Sequence, residues 1–174
     1  MNGRQAMLEA YRQMNKEYEK VIGGLTVEDL QQHPGGNSIG RLLWQVSRDC
    51  DRLAAEIILG KQQWISDGWH RIFNCKPDPD DTAKNHPGAR AEEMKIPDVL
   101  ILLAYHHSVT APLMDYLDAM TEEEMNREYP NSLQPGTASP AGDKLSGVHS
   151  QNMQYIEQAG DIRAILKGKR CFGE

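Results

Sequence analysis

A chain of 174 residues lies within the roughly 100–200 residues of one domain, and we predict a single domain over residues 1–174. The net charge of −6 argues against a nucleic-acid-binding protein, which carries clustered Lys and Arg. The longest apolar run, residues 99–105, is far shorter than the about 20 residues of a membrane span, so we expect no membrane partner. The three cysteines form no disulfide framework, which predicts a cytoplasmic protein.

The first predicted helix is marked by apolar residues that recur every three or four positions and ends at Gly23 and Gly24. These residues are Met7, Tyr11, Met14, Tyr18, Val21 and Leu25. Thr26 and Asp29 then resemble a capping box at the start of a short helical turn. Residues 33–36 (HPGG) break the chain before the next element.

The second predicted helix begins after a cap at Asn37 or Ser38 and ends near Gly60. Its apolar stripe consists of Ile39, Leu42, Leu43, Val46, Cys50, Leu53 and Ile57. Residues 61–72 are aromatic but aperiodic. Residues 74–95 are rich in Pro, Asp and Gly, and we predict a long surface loop.

The third predicted helix carries Pro97 in its first turn, where proline is favoured. Its stripe consists of Val99, Leu102, Leu103, His106, Thr110, Leu113, Leu117 and Met120. Pro112 lies inside this stripe and predicts a kink or a break. Thr121 and Glu124 form a second capping-box pattern, which makes residues 120–125 similar to residues 25–30. This similarity has two readings, two related halves or two ordinary caps.

Residues 128–144 are predicted to be loop, and the fourth helix then continues to about Gly168. Its stripe consists of Val148, Asn152, Tyr155, Ala159, Ile162 and Leu166. No strand-type alternation of useful length is present. Four long amphipathic helices bury their stripes together only as a bundle, so we predict an all-α four-helix bundle with long loops.

His106 is the one histidine within an apolar stripe. A buried imidazole needs a partner, because leaving it unpaired costs about 1–3 kcal/mol. Two interpretations remain open. It is either a core histidine satisfied by a hydrogen bond, or a catalytic acid–base group, since its reference pKa is near 6.5.

Polar residues also face inward from two helices. Asn152 and Tyr155 lie on the stripe of the fourth helix with Gln151 beside them, and Gln45 and Asp49 lie one turn apart on the second helix. Inward polar residues on facing helices are how bundles build ligand sites. The alternative is a set of buried hydrogen bonds that determines helix register.

Three segments resemble the DinB/YfiT-like superfamily. Residues 38–46 (SIGRLLWQV) are similar to its second-helix motif, residues 61–73 to an aromatic segment of one branch, and residues 155–164 to its closing helix. The resemblance covers most of the chain. It implies a four-helix bundle and a homodimer. It also implies a divalent metal held by one histidine on the second helix and two on the fourth, with metal-dependent thiol S-transferase or isomerase activity in several members.

The resemblance places the metal-ligand positions on Gln45, Gln151 and Tyr155, none of which is histidine. Zinc and similar ions are held by imidazole, thiolate or carboxylate, whereas an amide oxygen is weakly basic and a phenol is protonated near pH 7. We therefore predict no metal cofactor. The expected function is binding of a small ligand or partner in the interhelical cleft by Gln45, Asp49, Gln151, Asn152 and Tyr155.

Two alternatives remain open. One is a metal-dependent thiol S-transferase or isomerase that holds Zn or Ni in a rearranged site drawn from His106, His107, Asp49 or His149. The other is a structural role in which the bundle dimerises through exposed helix faces.

Overall fold

The computed structural model describes residues 2–81 and 95–168, and over these ranges the fold is mostly helical. Its elements are α1 (Gly3–Ile22), α2 (Val27–Gln31), α3 (Ile39–Ala54), a π-helical turn (Ala55–Leu59), α4 (Gln63–Ser66), α5 (Trp69–Ile72), α6 (Val99–Ala119), α7 (Glu122–Met125), β1 (Glu128–Pro130), β2 (Ala138–Pro140) and α8 (Ala141–Lys167). None of the helices within these ranges is long and apolar enough to cross a membrane.

The four long helices bury their apolar stripes against one another. Helix α3 packs against α6 and α8, and α1 packs against the same two helices. The side chains between them form one continuous core, whose largest fully buried members include Trp44, Trp64, Tyr11, Tyr18 and Tyr105. The predicted stripes therefore identify the faces that meet in the interior.

Side-chain caps begin several helices as the sequence predicts. Both capping boxes are confirmed, with Thr26 accepting from the Asp29 amide and Thr121 from the Glu124 amide. Ser38 caps α3 by accepting a hydrogen bond from the Arg41 amide at 3.2 Å. These caps satisfy amide groups that have no partner within the helix.

Gly40 allows the first turn of α3 to approach its neighbours closely. A Cβ atom at this position would lie 2.6 Å from Cγ1 of Ile96 and 2.9 Å from the carbonyl oxygen of Leu30. Both distances are shorter than a tolerable contact. The glycine of the SIG segment therefore has a packing role between α2, α3 and the chain before α6.

The start of α6 differs from the prediction for Pro97. Pro97 precedes the cap, and Asp98 is the N-cap, whose side chain accepts from the Leu100 amide at 2.7 Å. Helix α6 also continues through Pro112 to Ala119. The helix begins after Asp98 because the aspartate side chain accepts a hydrogen bond from an amide that would otherwise be unpaired.

The prediction of loop over residues 128–144 is confirmed for residues 131–137 and wrong for the rest. Strands β1 and β2 form an antiparallel hairpin in which Tyr129 pairs with Ser139, and α8 begins at Ala141 directly after it. Three-residue strands that end in proline are too short to show alternation in the sequence. The aperiodic residues 61–72 likewise contain two short helices, α4 and α5. Of the predicted loop 74–95, residues 82–94 lie outside the described residues, as does Cys171.

Candidate functional site

The inward polar residues of the second and fourth predicted helices lie on facing surfaces of α3 and α8. Gln45 is fully buried, and its Nε2 donates to Oδ1 of Asp49 at 2.8 Å. Asn152 is also fully buried, and its Nδ2 donates to the carbonyl oxygen of Val46 at 3.3 Å. Tyr155 is half-buried, and desolvation together with the charge of Asp49 raises its pKa. The Asn152 hydrogen bond and the interaction of Tyr155 with Asp49 join α8 to α3, whereas the Gln45–Asp49 hydrogen bond lies within α3.

A cleft of about 400 Å³ opens beside this interface, between the end of α3, the start of α8 and the loop of the β1–β2 hairpin. We call it the α3–α8 cleft. Its polar and charged lining includes Asp49, Arg52, Glu56, Asp143, Lys144 and Gln151. Of the candidate residues, Asp49 and Gln151 line this cleft, whereas Gln45, Asn152, Tyr155 and His106 do not.

A half-buried ion pair lies in one wall of the cleft. Nζ of Lys144 donates to Oε2 of Glu56 at 2.8 Å, to the carbonyl oxygen of Pro130 at 2.9 Å and to Oδ1 of Asn131 at 2.6 Å. The amide and the hydroxyl of Ser132 both donate to Oε1 of Glu56. Burial alone would raise the pKa of Glu56, but these hydrogen bonds outweigh it and lower the pKa. The carboxylate is therefore ionised and holds the hairpin loop against the π-helical turn that follows α3.

Arg52 is the second cation of the cleft, and it differs from Lys144 in its partners. The side chain is buried, with 7% of its surface exposed. Among the described residues its Nε and Nη2 atoms have no hydrogen-bond partner. Desolvation lowers its pKa, while the carboxylates of Asp49 and Glu56 oppose that shift.

His106 lies elsewhere in the core, between α1, α3 and α6. It is fully buried, its Nδ1 lies 3.2 Å from Oγ of Ser47, and its Nε2 lies 3.0 Å from Oδ1 of Asn15. Its ring stacks on Tyr18 with centroids 3.6 Å apart. Desolvation, aided by His107, lowers its pKa to about 3. The ring is therefore neutral at neutral pH, with both nitrogens engaged inside the core.

Gln45, Gln151 and Tyr155, at which the sequence resemblance places metal ligands, do not fit a divalent ion. The Gln45 amide is engaged by Asp49, and the raised pKa of Tyr155 keeps its phenol protonated. The rearranged set is also dispersed, since His107 contacts Glu19 and His149 contacts the carbonyl oxygen of Ala10. Within residues 2–81 and 95–168, no group of three or more His, Cys, Asp or Glu could hold a metal.

The sequence analysis missed a fully buried ion pair on α3. Asp51 accepts hydrogen bonds from the amides of Gln63 and Trp64 and from the hydroxyl of Tyr105, each at 2.8 Å, and from Nη1 of Arg48 at 3.2 Å. The carboxylate thus caps α4 from a distant helix. Helical periodicity places Arg48 and Asp51 on the side of the helix away from its predicted apolar stripe, so the sequence pattern gave no signal that this pair is buried.

The same arginine organises the chain that follows α3. Nη2 of Arg48 donates to Oε1 of Gln62 at 2.7 Å and to the carbonyl oxygen of Pro79 at 3.2 Å. Its guanidinium also lies 4.8 Å from the centre of the Trp64 ring. The pair is structural, because each charge is satisfied by protein groups.

Comparisons with known proteins give the fold. No family model matches the chain, and a search of curated proteins finds no match. The crystal structure of a conserved protein from Enterococcus faecalis is similar, with a TM-score of 0.79 and 22% sequence identity. The similarity covers 97% of this chain and 99% of the other. The two proteins therefore share the arrangement of helices over nearly their whole length.

Proposed function

We propose that this chain is a DinB/YfiT-like four-helix bundle that binds a small polar molecule in the α3–α8 cleft without a metal ion. The mutual packing of α1, α3, α6 and α8 and the similar segments 38–46 and 155–164 support the bundle. The cleft itself supports the binding function, because small-molecule sites enclose roughly 300–1,000 Å³ and this one encloses about 400 Å³.

The chemistry of the lining favours binding over catalysis. The charged groups Glu56 and Lys144 are engaged with each other and with the hairpin, so they shape the wall. Asp49 and Gln151, which the sequence places on facing helices, both border the opening. His106, the acid–base candidate, is enclosed in the core away from this lining. We therefore assign no reaction to the cleft.

Gly147 offers a direct way to test the site. It lies on α8 and lines the cleft, and a Cβ atom built on it meets nothing within 4 Å. A tryptophan at this position would fill the cleft without removing any polar group. An alanine at the same position leaves most of the volume open and is the matched control.

The experiment is a thermal-shift and NMR titration with amino acids, carboxylic acids, amines, sugars and nucleosides, carried out with the metal-free protein. We expect at least one class to bind saturably to the wild-type protein and to Gly147→Ala, and to lose binding in Gly147→Trp. Binding that is equal in all three proteins, or binding that requires added Zn or Ni, would overturn the proposal. The second result would favour the metal-dependent transferase.

The homodimer that the resemblance implies is also a proposal. Leu100 on the first turn of α6 supports it, because this large apolar side chain is 71% exposed. Sedimentation equilibrium tests it. A monomer at all concentrations would contradict the dimer while leaving the ligand site unaffected.

A further inference from the structure

The two cations of the α3–α8 cleft differ in their unused hydrogen-bonding capacity. Lys144 has three N–H donors, and three acceptors lie within 2.9 Å of its nitrogen. Arg52 is 7% exposed, and its Nε and Nη2 atoms find no acceptor among the described residues. Leaving a buried donor unpaired costs about 1–3 kcal/mol, and more when the group is charged. An anion that enters the cleft therefore gains most from Arg52.

The two unpaired atoms belong to the same edge of the guanidinium group. The N–H bonds of Nε and Nη2 run parallel along that edge, which matches the two oxygens of a carboxylate. A hydroxyl or a single carbonyl oxygen would satisfy only one of them. The pattern of unsatisfied atoms thus points to a bidentate acceptor.

The side chain also has space in which to turn toward a ligand. Arg52 lines the α3–α8 cleft and, on its other side, a second cavity of about 430 Å³ that includes Gln62 and Ser66. Arg52 therefore lies between two open volumes. Its unpaired edge is buried in this structure, so a ligand in the cleft reaches that edge only when the side chain rotates.

The remaining charges of the cleft restrict the class of ligand. Three carboxylates line it, those of Asp49, Glu56 and Asp143, against the two cations Arg52 and Lys144. The excess of negative charge opposes a ligand with several anionic groups. A molecule with one carboxylate and one ammonium group matches both the arginine edge and the acidic surroundings.

We propose that Arg52 is the carboxylate-binding residue of the cleft and that the ligand is a small amino-carboxylic acid, with its ammonium group toward Asp49 and Asp143. This inference rests on the proposed function. It adds a specific contact and a ligand class. An experiment can disprove either of them while the cleft remains the binding site.

The test compares four kinds of probe by NMR titration: free amino acids, their methyl esters, simple carboxylates such as acetate and succinate, and inorganic phosphate. For the wild-type protein we expect free amino acids to bind at least tenfold more tightly than the other three. For Arg52→Gln we expect at least a tenfold loss of amino-acid affinity. For Arg52→Lys, which keeps the charge without the paired donors, we expect a loss of severalfold or more.

Two controls keep the outcomes distinct. Arg12→Gln removes an arginine from the exposed surface of α1 and should leave every affinity unchanged. Gly147→Trp should abolish binding whatever the ligand class.

The outcomes separate the role of Arg52 from that of the cleft. If Gly147→Trp blocks amino-acid binding but Arg52→Gln does not weaken it, the role of Arg52 is wrong and the cleft remains the site. Methyl esters or phosphate binding as tightly as amino acids would overturn the ligand class. If none of these four probes binds, the ligand class is wrong. The cleft itself fails as a binding site only if the amines, sugars and nucleosides of the wider titration also do not bind.

Discussion

Arg48 and Arg52 lie four positions apart on α3, but their hydrogen-bonding partners differ. Arg48 is fully buried and donates to Asp51, Tyr105 and Gln62, so its charge is compensated by protein groups. Arg52 is nearly as buried, yet two of its nitrogens have no partner in the described part of the chain. A buried charge that is paired is costly to break, whereas an unsatisfied polar group is nearly neutral or favourable to remove.

The contrast predicts different results for the same substitution. Arg48→Met should lower the free energy of unfolding by about 3–5 kcal/mol, because it leaves Asp51 buried without its counter-charge. Arg52→Met should lower it by less than about 2 kcal/mol, since it removes unpaired donors and only the longer-range attraction of carboxylates such as Asp49 and Glu56. Urea denaturation of the two variants measures both values. Equal losses would show that Arg52 is as structural as Arg48.

His106 predicts a pH dependence of stability. Its pKa in the folded protein is about 3, against about 6.5 in an unfolded chain, so below pH 6.5 the unfolded chain binds a proton that the folded chain does not. Stability is therefore complete above pH 6.5 and falls toward pH 3, by at most about 1.4 kcal/mol per pH unit. The ring faces Asn15, Tyr18, Ser47 and His107, none of which supplies a compensating negative charge.

Urea unfolding of the wild-type protein and His106→Gln between pH 7 and pH 5 tests this expectation. The variant should be less stable at pH 7 but should show a shallower pH dependence. A residual slope is expected from His149, whose pKa burial also lowers. Identical slopes would mean that His106 is protonated in the folded protein.

At the scale of elements, two helical glycines have different surroundings. Gly40 of α3 lies against Leu30 and Ile96, whereas Gly147 of α8 has open space beside it. The first glycine permits close packing of helices. The second only adds backbone freedom to the unfolded chain.

Alanine substitution should therefore act in opposite directions at the two sites. Gly40→Ala should destabilise the protein by about 1–3 kcal/mol through overpacking. Gly147→Ala should stabilise it by about 0.5–1 kcal/mol, the difference in helix propensity between glycine and alanine. Thermal unfolding measures both. A stabilised Gly40→Ala would show that α2 and α3 are not in close contact.

The long helices could be predicted from the sequence because each repeats an apolar residue every three or four positions over several turns. Their caps could also be predicted, since Ser38 and the capping boxes bond to amides only three residues away. The hairpin could not be predicted, because strands of three residues contain too few positions to alternate. Asp98 shows the limit at helix ends, where an aspartate replaced Pro97 as the start signal.

At the scale of the whole molecule, the α3–α8 cleft joins segments that are far apart in the chain. Glu56, Asn131 and Lys144 meet there, and Arg52 lines the same cleft. Asp49 and Gln151 could be predicted because helical periodicity places them near facing surfaces. The contribution of the hairpin loop could not be predicted, because no local sequence pattern indicates which part of the fold the loop contacts.

The account depends on the α3–α8 region binding a small molecule without a metal ion at Gln45, Gln151 and Tyr155, the positions at which the DinB/YfiT-like resemblance places metal ligands. Elemental analysis tests this most directly, on protein purified without a histidine tag, incubated with Zn and Ni and then gel-filtered. We predict far less than one ion per chain, with no difference between the wild-type protein and Gln45→Ala. One ion per chain in the wild-type protein, lost in Gln45→Ala, would contradict the account.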